Sequence, residues 1–107
     1  SSKRGTPDKM GLNVGRITPG DRAKMNLGPD TKGVVIESID PKSVLAGKQI
    51  RPGYVILEAK FGNKEKQSPV LSVENYKKRL EKIDKGDSVV LVIQVAPGKV
   101  DIIGFTL

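Results

Sequence analysis

The chain of 107 residues contains no cysteine, no histidine and no tryptophan, and the first two absences exclude whole classes of chemistry. Without cysteine there can be no disulfide, no thiol nucleophile and no zinc site built from Cys and His. Without histidine the chain has no Ser-His-Asp triad of its own. The serine in GDSVV, residues 86–90, is followed by valines where an oxyanion loop would have glycines. We therefore expect a turn into a strand at this point and no catalytic residue in the chain.

Long apolar runs, metal-binding patterns and phosphate loops are missing as well. No apolar run approaches the roughly 18–20 residues that a membrane-spanning helix needs, so we expect no stable membrane insertion. The acidic residues stand mostly beside turns or at polar strand positions and form no EF-hand or other metal pattern. Glycines 11, 15 and 20 do not make a Gly-x-Gly-x-x-Gly fingerprint. The sequence predicts no metal ion and no cofactor.

Positive charge is in excess, with 19 Lys and Arg against 12 Asp and Glu and a net charge of +7. Such an excess is compatible with nucleic acid, anionic lipid or acidic peptides as partners. The basic residues are spread along the chain, and the four aromatic residues are not interleaved with them as stacking platforms would be. We interpret the charge as a solvated surface and expect no nucleic-acid partner; binding of nucleic acid or lipid stays a weaker alternative.

The hydrophobic pattern predicts an α+β, mainly β domain. It is expected to be a partly open β-barrel or sandwich of five to six strands, capped by one long helix and one or two short ones. Strands are expected at residues 12–18, 33–39, 54–61, 88–95 and 100–107, with a turn at 19–20, a short helix at 21–27, one helical turn at 43–46 and an exposed loop at 62–69. The long helix is expected at 72–84, because Ser72 is a suitable N-cap and apolar residues at 73, 76, 80 and 83 share one face. Residues 1–8 are expected to be a flexible linker or cloning remnant, and residues 9–107 one domain.

The stretch KMGLNV, residues 9–14, carries the first functional signal. A glycine between Met10 and Leu12 at a strand entry lets successive backbone N–H groups point into one concavity that accepts a carboxylate. If the strand has a free edge, an extended peptide can add to it with its terminal carboxylate in that concavity. Taken alone, the stretch is better explained by a simple strand-entry bulge. The long helix would supply the second wall of a groove.

In the order and spacing of its motifs, the chain resembles a PDZ domain of the bacterial HtrA/Deg-type serine proteases, and specifically a later one, that is a second or C-terminal PDZ domain. KMGLNV is similar to the carboxylate-binding loop, GVVIESIDPKS and IRPGYVILEA to the strand signatures, and RITPGDRAKMNLG to a segment common in the later domains. SVENYKKRLEKIDKGDSVVLVI is similar to the groove helix and the strand after it. The chain departs from the family in PKSVLAGKQI, in Tyr54 after Pro-Gly and in a longer loop at 62–68. The resemblance implies the circularly permuted bacterial arrangement, with residues 100–107 replacing the first strand of animal PDZ domains.

The resemblance also implies a peptide-binding site. The backbone N–H groups of Met10, Gly11 and Leu12 would bind the terminal carboxylate, and the side chains of Met10, Leu12, Val14 and Leu80 would line the pocket for the last side chain. Val73 would favour an apolar residue two positions before the peptide end, and Lys77 could meet an acidic one. Tyr76 and Ile83 are expected in the core. The predicted peptide-binding set is Met10, Gly11, Leu12, Asn13, Val14, Val73, Lys77 and Leu80.

The function that the resemblance implies is a non-catalytic module that captures C-terminal or extended apolar segments by β-strand addition. It would serve substrate recognition or regulation of an attached serine protease. Its partners would be C-termini or unfolded segments of proteins, the protease domain and sister PDZ domains. The fragment would be monomeric, and the parent a homo-oligomer in the bacterial periplasm or cell envelope. The alternative is a structural or oligomer-assembly domain with an occupied groove.

Overall fold

The computed structural model describes residues 8–48 and 50–107. Of the predicted linker, residues 1–7 lie outside the described residues. The described chain forms a six-stranded antiparallel sheet with two α-helices and one short 3₁₀ helix, which confirms the mainly β, PDZ-like α+β prediction. The elements are β1 Leu12–Gly15, α1 Pro19–Met25, β2 Val34–Ile39, the 3₁₀ helix Val44–Gly47, β3 Val55–Phe61, β4 Ser68–Pro69, α2 Val73–Leu80, β5 Ser88–Ala96 and β6 Lys99–Thr106.

The sheet is open, and its strand order places β1 at one edge. The order is β1-β2-β3-β5-β6, with the short β4 paired to β3. In the described part of the chain β1 pairs with β2 alone, and every strand pair is antiparallel. The two-residue β4 lies where the sequence predicted only loop, because Ser68 and Pro69 run beside Ala59 and Glu58. An edge strand presents backbone N–H and C=O groups that a further strand can use.

Apolar side chains form two clusters. The larger one joins α2 and the turn after it to the sheet through Tyr76, Leu80 and Ile83, and it includes buried residues of β1, β2, β3 and β5. The smaller one gathers Met25, Val35 and Val55 with partly buried neighbours. The predicted two-sided burial of β2 is therefore confirmed for its first three residues, while Glu37 is exposed.

Helix α1 begins earlier than the sequence predicted. The Thr18 side chain accepts a hydrogen bond from the Asp21 N–H at 3.1 Å, and the Asp21 carboxylate accepts one from the Thr18 N–H at 3.0 Å. This capping box places Pro19 in the first helical turn, where proline's missing N–H has no consequence. The turn predicted at residues 19–20 is therefore wrong. The helix also ends two residues early, since Asn26 adopts a left-handed conformation with φ 54°.

Helix α2 ends at Leu80, four residues before the predicted end. The Lys82 N–H bonds the Arg79 carbonyl at 3.3 Å and the Ile83 N–H bonds the Leu80 carbonyl at 3.2 Å, so the chain tightens into turns. The Lys9 ammonium donates to the carbonyl oxygens of Glu81 at 3.1 Å and Ile83 at 2.6 Å. A contact from the distant chain start thus satisfies carbonyl groups after the helix, which periodicity could not predict.

Candidate functional site

The free edge of β1 and the N-terminal end of α2 border an open cleft, called here the β1–α2 cleft. Its volume is ≈ 840 Å³. One wall runs from Gly15 to Thr18, where β1 ends, and the opposite wall runs from Leu71 to Glu74, where α2 begins. Arg22, Thr31, Lys32, Gly33 and Glu37 complete the lining. The structure thus brings together the two elements that the sequence predicted as groove walls.

The loop before β1 forms an anion-binding concavity, as the KMGLNV stretch suggests. The backbone N–H groups of Met10 and Leu12, called here the carboxylate cradle, converge on one oxygen atom at 2.9 and 3.0 Å. That atom is Oδ1 of Asp8. The Gly11 N–H turns instead to the Asp8 carbonyl at 2.8 Å. All three N–H groups predicted to bind a peptide carboxylate are therefore engaged by Asp8.

The backbone at Gly11 requires glycine. Its φ is +79°, a left-handed conformation that L side chains rarely adopt, and a Cβ atom there would overlap the side chain of Ser43. The Ser43 hydroxyl donates to the Met10 carbonyl at 2.5 Å, and the Asp40 N–H donates to the Gly11 carbonyl at 2.7 Å. These bonds hold the loop against the segment that precedes the 3₁₀ helix.

Asp8, which the sequence analysis assigned to the linker, belongs to the described fold. Its N–H donates to the Leu12 carbonyl at 3.0 Å, and its Oδ2 accepts a hydrogen bond from the Tyr76 hydroxyl at 2.8 Å. Burial raises the pKa of Asp8 by more than the hydrogen bonds from Leu12, Tyr76, Met10 and Gly11 lower it. Burial, and after it the charge and hydrogen bond of Asp8, raises the pKa of Tyr76 well above 10, so Tyr76 stays a phenol that donates.

The side chains predicted to line the pocket for a terminal residue are largely packed into the core. Met10 and Leu12 are each 1% exposed and Leu80 is 3% exposed, so this end of the groove is closed in the structure. Val14 and Val73 are half-buried at the margin of the same cluster. The predicted contacts of these five residues with a peptide stay predictions.

The remaining predicted residues lie elsewhere around the groove. The Asn13 side chain donates to the Ser38 hydroxyl of β2 at 3.0 Å. Lys77 is exposed on the outward surface of α2 beside Glu74, Lys78 and Glu81, and it is not part of the cleft lining. Its predicted contact with an acidic peptide residue also stays a prediction. Tyr76 and Ile83 lie in the core, as predicted.

Sequence reasoning missed Asp8 as a member of the site. A signal was present, because an aspartate side chain readily bonds the backbone N–H two residues further on, and Asp8 stands two residues before Met10. Within residues 8–48 and 50–107 the acidic side chains form no cluster that could hold a metal ion. No helix in this described part is long and apolar enough to cross a membrane.

Comparison with known proteins relates the chain to one group of enzymes. No protein-family model matches it. It is 33% identical over 86 residues to a "Probable periplasmic serine endoprotease DegP-like" of Chlamydia pneumoniae, 34% over 85 residues to that of Chlamydia trachomatis, and 33% over 85 residues to that of Chlamydia muridarum. These matches cover 79–80% of the chain but only 16% of each relative. The chain is thus homologous to one segment of the DegP-like serine endoproteases, the family that its motifs resemble, and its fold is PDZ-like.

Proposed function

We propose that this domain is a peptide-binding module that takes an extended apolar segment onto the free edge of β1 and brings no catalytic group of its own. One observation carries the proposal: β1 is an edge strand, and an open cleft separates its end from the start of α2. An extended peptide can add to such an edge through backbone hydrogen bonds, while the cleft receives alternate side chains.

The direction of the backbone groups supports strand addition. The N–H and C=O of Leu12 both bond Asp8, so they point away from β2. Because backbone groups alternate along a strand, the N–H and C=O of Val14 are expected to point the same way, toward an incoming peptide. Leu71, which is 55% exposed, and half-buried Ile17 and Val73 offer apolar contacts in the cleft.

The named relatives suggest the setting of the module. They are called probable periplasmic serine endoproteases, and the chain spans about one sixth of their length. We place the parent protein in the periplasm or cell envelope as a homo-oligomeric serine endopeptidase. In it the module would present extended or unfolded segments to a protease domain, alongside sister PDZ domains.

Replacing Val73 tests the cleft. Val73→Glu puts a charge beside the bound peptide, and an acidic residue in the first turn of a helix is tolerated well. We expect this substitution to lower the affinity for an apolar peptide by about tenfold, equivalent to about 1.4 kcal/mol. Lys78→Gln is the matched control, since it changes the net charge by the same amount on the outward surface of α2. Equal affinities in fluorescence anisotropy for Val73→Glu and the unsubstituted domain would contradict the cleft assignment.

A second candidate is an assembly domain whose groove never meets substrate. The buried side chains of Met10, Leu12 and Leu80 and the engaged cradle favour it. This candidate predicts that deleting the domain from the parent protease changes its oligomeric state in gel filtration and cross-linking, while isolated peptides do not bind. The peptide-binding proposal predicts measurable affinity for the isolated domain.

A further inference from the structure

The donors that could hold a peptide's terminal carboxylate already hold a carboxylate of this chain. We propose, on the basis of the peptide-binding function above, that Asp8 is a specificity residue that rejects free C-termini. Its side chain fills the cradle, so the groove accepts the interior of an extended chain in preference to a chain end. The Asp8 N–H also donates to the Leu12 carbonyl. Asp8 therefore pairs with the start of β1 in the way that a residue of an added strand would.

The hydrogen bonds of Asp8 leave no vacant donor in the cradle. Each backbone N–H carries one hydrogen, and those of Met10 and Leu12 are directed at Oδ1. Oδ2 is held from the opposite side by Tyr76, which is fully buried in the core and cannot easily move away. A peptide carboxylate could enter only by displacing a charged side chain that has three hydrogen bonds, and such bonds are among the stronger ones in proteins.

Charge near the loop gives an incoming anion no compensating attraction. The cavity next to the cradle, ≈ 540 Å³, is lined by three aspartates and three lysines, namely Asp8, Asp40, Asp84, Lys9, Lys42 and Lys85. The Lys9 ammonium is engaged by carbonyl oxygens beyond α2. A second carboxylate at the cradle would stand against the Asp8 charge, and two like charges at one site disfavour each other.

The distribution of open space along β1 is an independent observation. At the cradle end, the side chains of Met10, Leu12 and Leu80 are buried, so they offer little surface to a terminal side chain. At the other end, the β1–α2 cleft is open between residues 15–18 and 71–74. An occupant of that cleft contacts the strand away from the two N–H groups of the cradle.

Matched peptides test the proposal. An apolar eight-residue peptide ending in Thr-Val-Ile-Val is prepared as the free acid and as the C-terminal amide, and both are titrated into the whole 107-residue chain. We expect the unsubstituted chain to bind the acid no more tightly than the amide. Asp8→Ala, which empties the cradle, should bind the acid on the order of tenfold more tightly than the amide, since one charge-assisted bond of about 1.4 kcal/mol corresponds to that factor. Asp8→Asn keeps a side-chain oxygen that can accept from both N–H groups of the cradle, so its preference for the acid should be smaller. Asp101→Asn, which makes the same change of charge on β6 and away from both the cradle and the cleft, should behave like the unsubstituted chain.

Tyr76→Phe is a second variant, which tests the proposal even if the Asp8 variants fail to fold. It keeps Asp8 and the backbone and removes one hydrogen bond from the carboxylate, so an acid preference between the two extremes is expected. A clear preference of the unsubstituted chain for the free acid would overturn the role of Asp8 while leaving peptide binding in place. Failure of every folded variant to bind either peptide would overturn the peptide-binding function and this inference together.

Discussion

At the level of single residues, Asp8 joins the first described turn of the fold to a core side chain. Its carboxylate bonds Tyr76, 68 positions away, and the backbone of Met10 and Leu12. This contact connects the loop before β1 to α2. Replacing the carboxylate therefore changes both the chemistry of the cradle and the attachment of the loop.

The raised pKa of Asp8 predicts a definite pH dependence. Burial raises it above the ordinary 3.8, so the folded state binds the proton more tightly than the unfolded state. Stability should therefore fall as the pH rises from 3.8 through the higher folded pKa. Asp8→Asn removes this titration, so relative to the original chain the variant should gain stability over that interval. Urea unfolding of both proteins at a series of pH values measures the difference in their free energies of unfolding. A difference that does not change with pH would contradict a raised pKa of Asp8.

Three glycines allow backbone strain to be separated from steric overlap. Gly11 has φ +79° and a crowded Cβ position, Gly98 has φ +73° with open space, and Gly47 has open space without a positive φ. Gly98→Ala should cost about 1 kcal/mol from strain alone, and Gly47→Ala should lie within about 0.5 kcal/mol of zero. Gly11→Ala should cost more than about 2 kcal/mol because the overlap with Ser43 adds to the strain. Thermal or urea unfolding of the three variants gives the order of their losses in stability. Equal losses for Gly11→Ala and Gly98→Ala would contradict a contribution from the overlap with Ser43.

At the level of elements, Arg79 attaches α2 to the sheet. It forms a salt bridge with Glu65 at 2.7 Å and donates to the carbonyl oxygens of Ala59 at 2.7 Å and Pro69 at 3.0 Å. Its guanidinium also lies 5.3 Å from the centre of the Phe61 ring. A planar group with several donors can satisfy these partners together, whereas an ammonium cannot. The longer loop at residues 62–68 is thus held by the helix.

This cluster predicts a second pH effect of opposite sign. Burial raises the pKa of Glu65. The hydrogen bonds from Arg79 and Phe61 and the charges of Arg79 and Lys82 lower it by a larger amount, so the pKa falls below the ordinary 4.5. Its stabilisation is present above pH 4.5 and is lost as the pH falls through the folded pKa. Glu65→Gln should lose about 1 kcal/mol near neutral pH and little in acid. Arg79→Lys, measured in parallel by urea unfolding, should lose about 1–2 kcal/mol; no loss in either variant would contradict the role of the cluster.

Element types were predictable from the sequence where periodicity is strong, and element ends were not. The alternation and apolar runs of β2, β3, β5 and β6 and the apolar stripe of α2 suffice to predict those elements. The start of α1 depends on reciprocal bonds between Thr18 and Asp21, a capping signal that the Pro-Gly pair obscured. The end of α2 depends on Lys9, more than 70 residues away, which no local pattern contains.

For the whole molecule, the order of motifs predicted the PDZ-like architecture and the position of the cradle, but not what fills the cradle. A glycine between apolar residues indicates which N–H groups converge. The occupant depends on one side chain that reaches both the loop and a buried phenol, and that requires the folded geometry. The same holds for Lys77, whose place on the outward surface of α2 follows from how the helix is set against the sheet.

The proposed function requires that an extended peptide adds to β1 opposite α2. The most direct measurement follows the backbone amide signals of the isotopically labelled domain by NMR while the amidated apolar peptide is added. We predict shifts concentrated at Val14–Thr18 and Leu71–Glu74, with the signals of β6, at the far edge of the sheet, unchanged. Shifts centred on β6, or no shifts at saturating peptide, would contradict strand addition at β1.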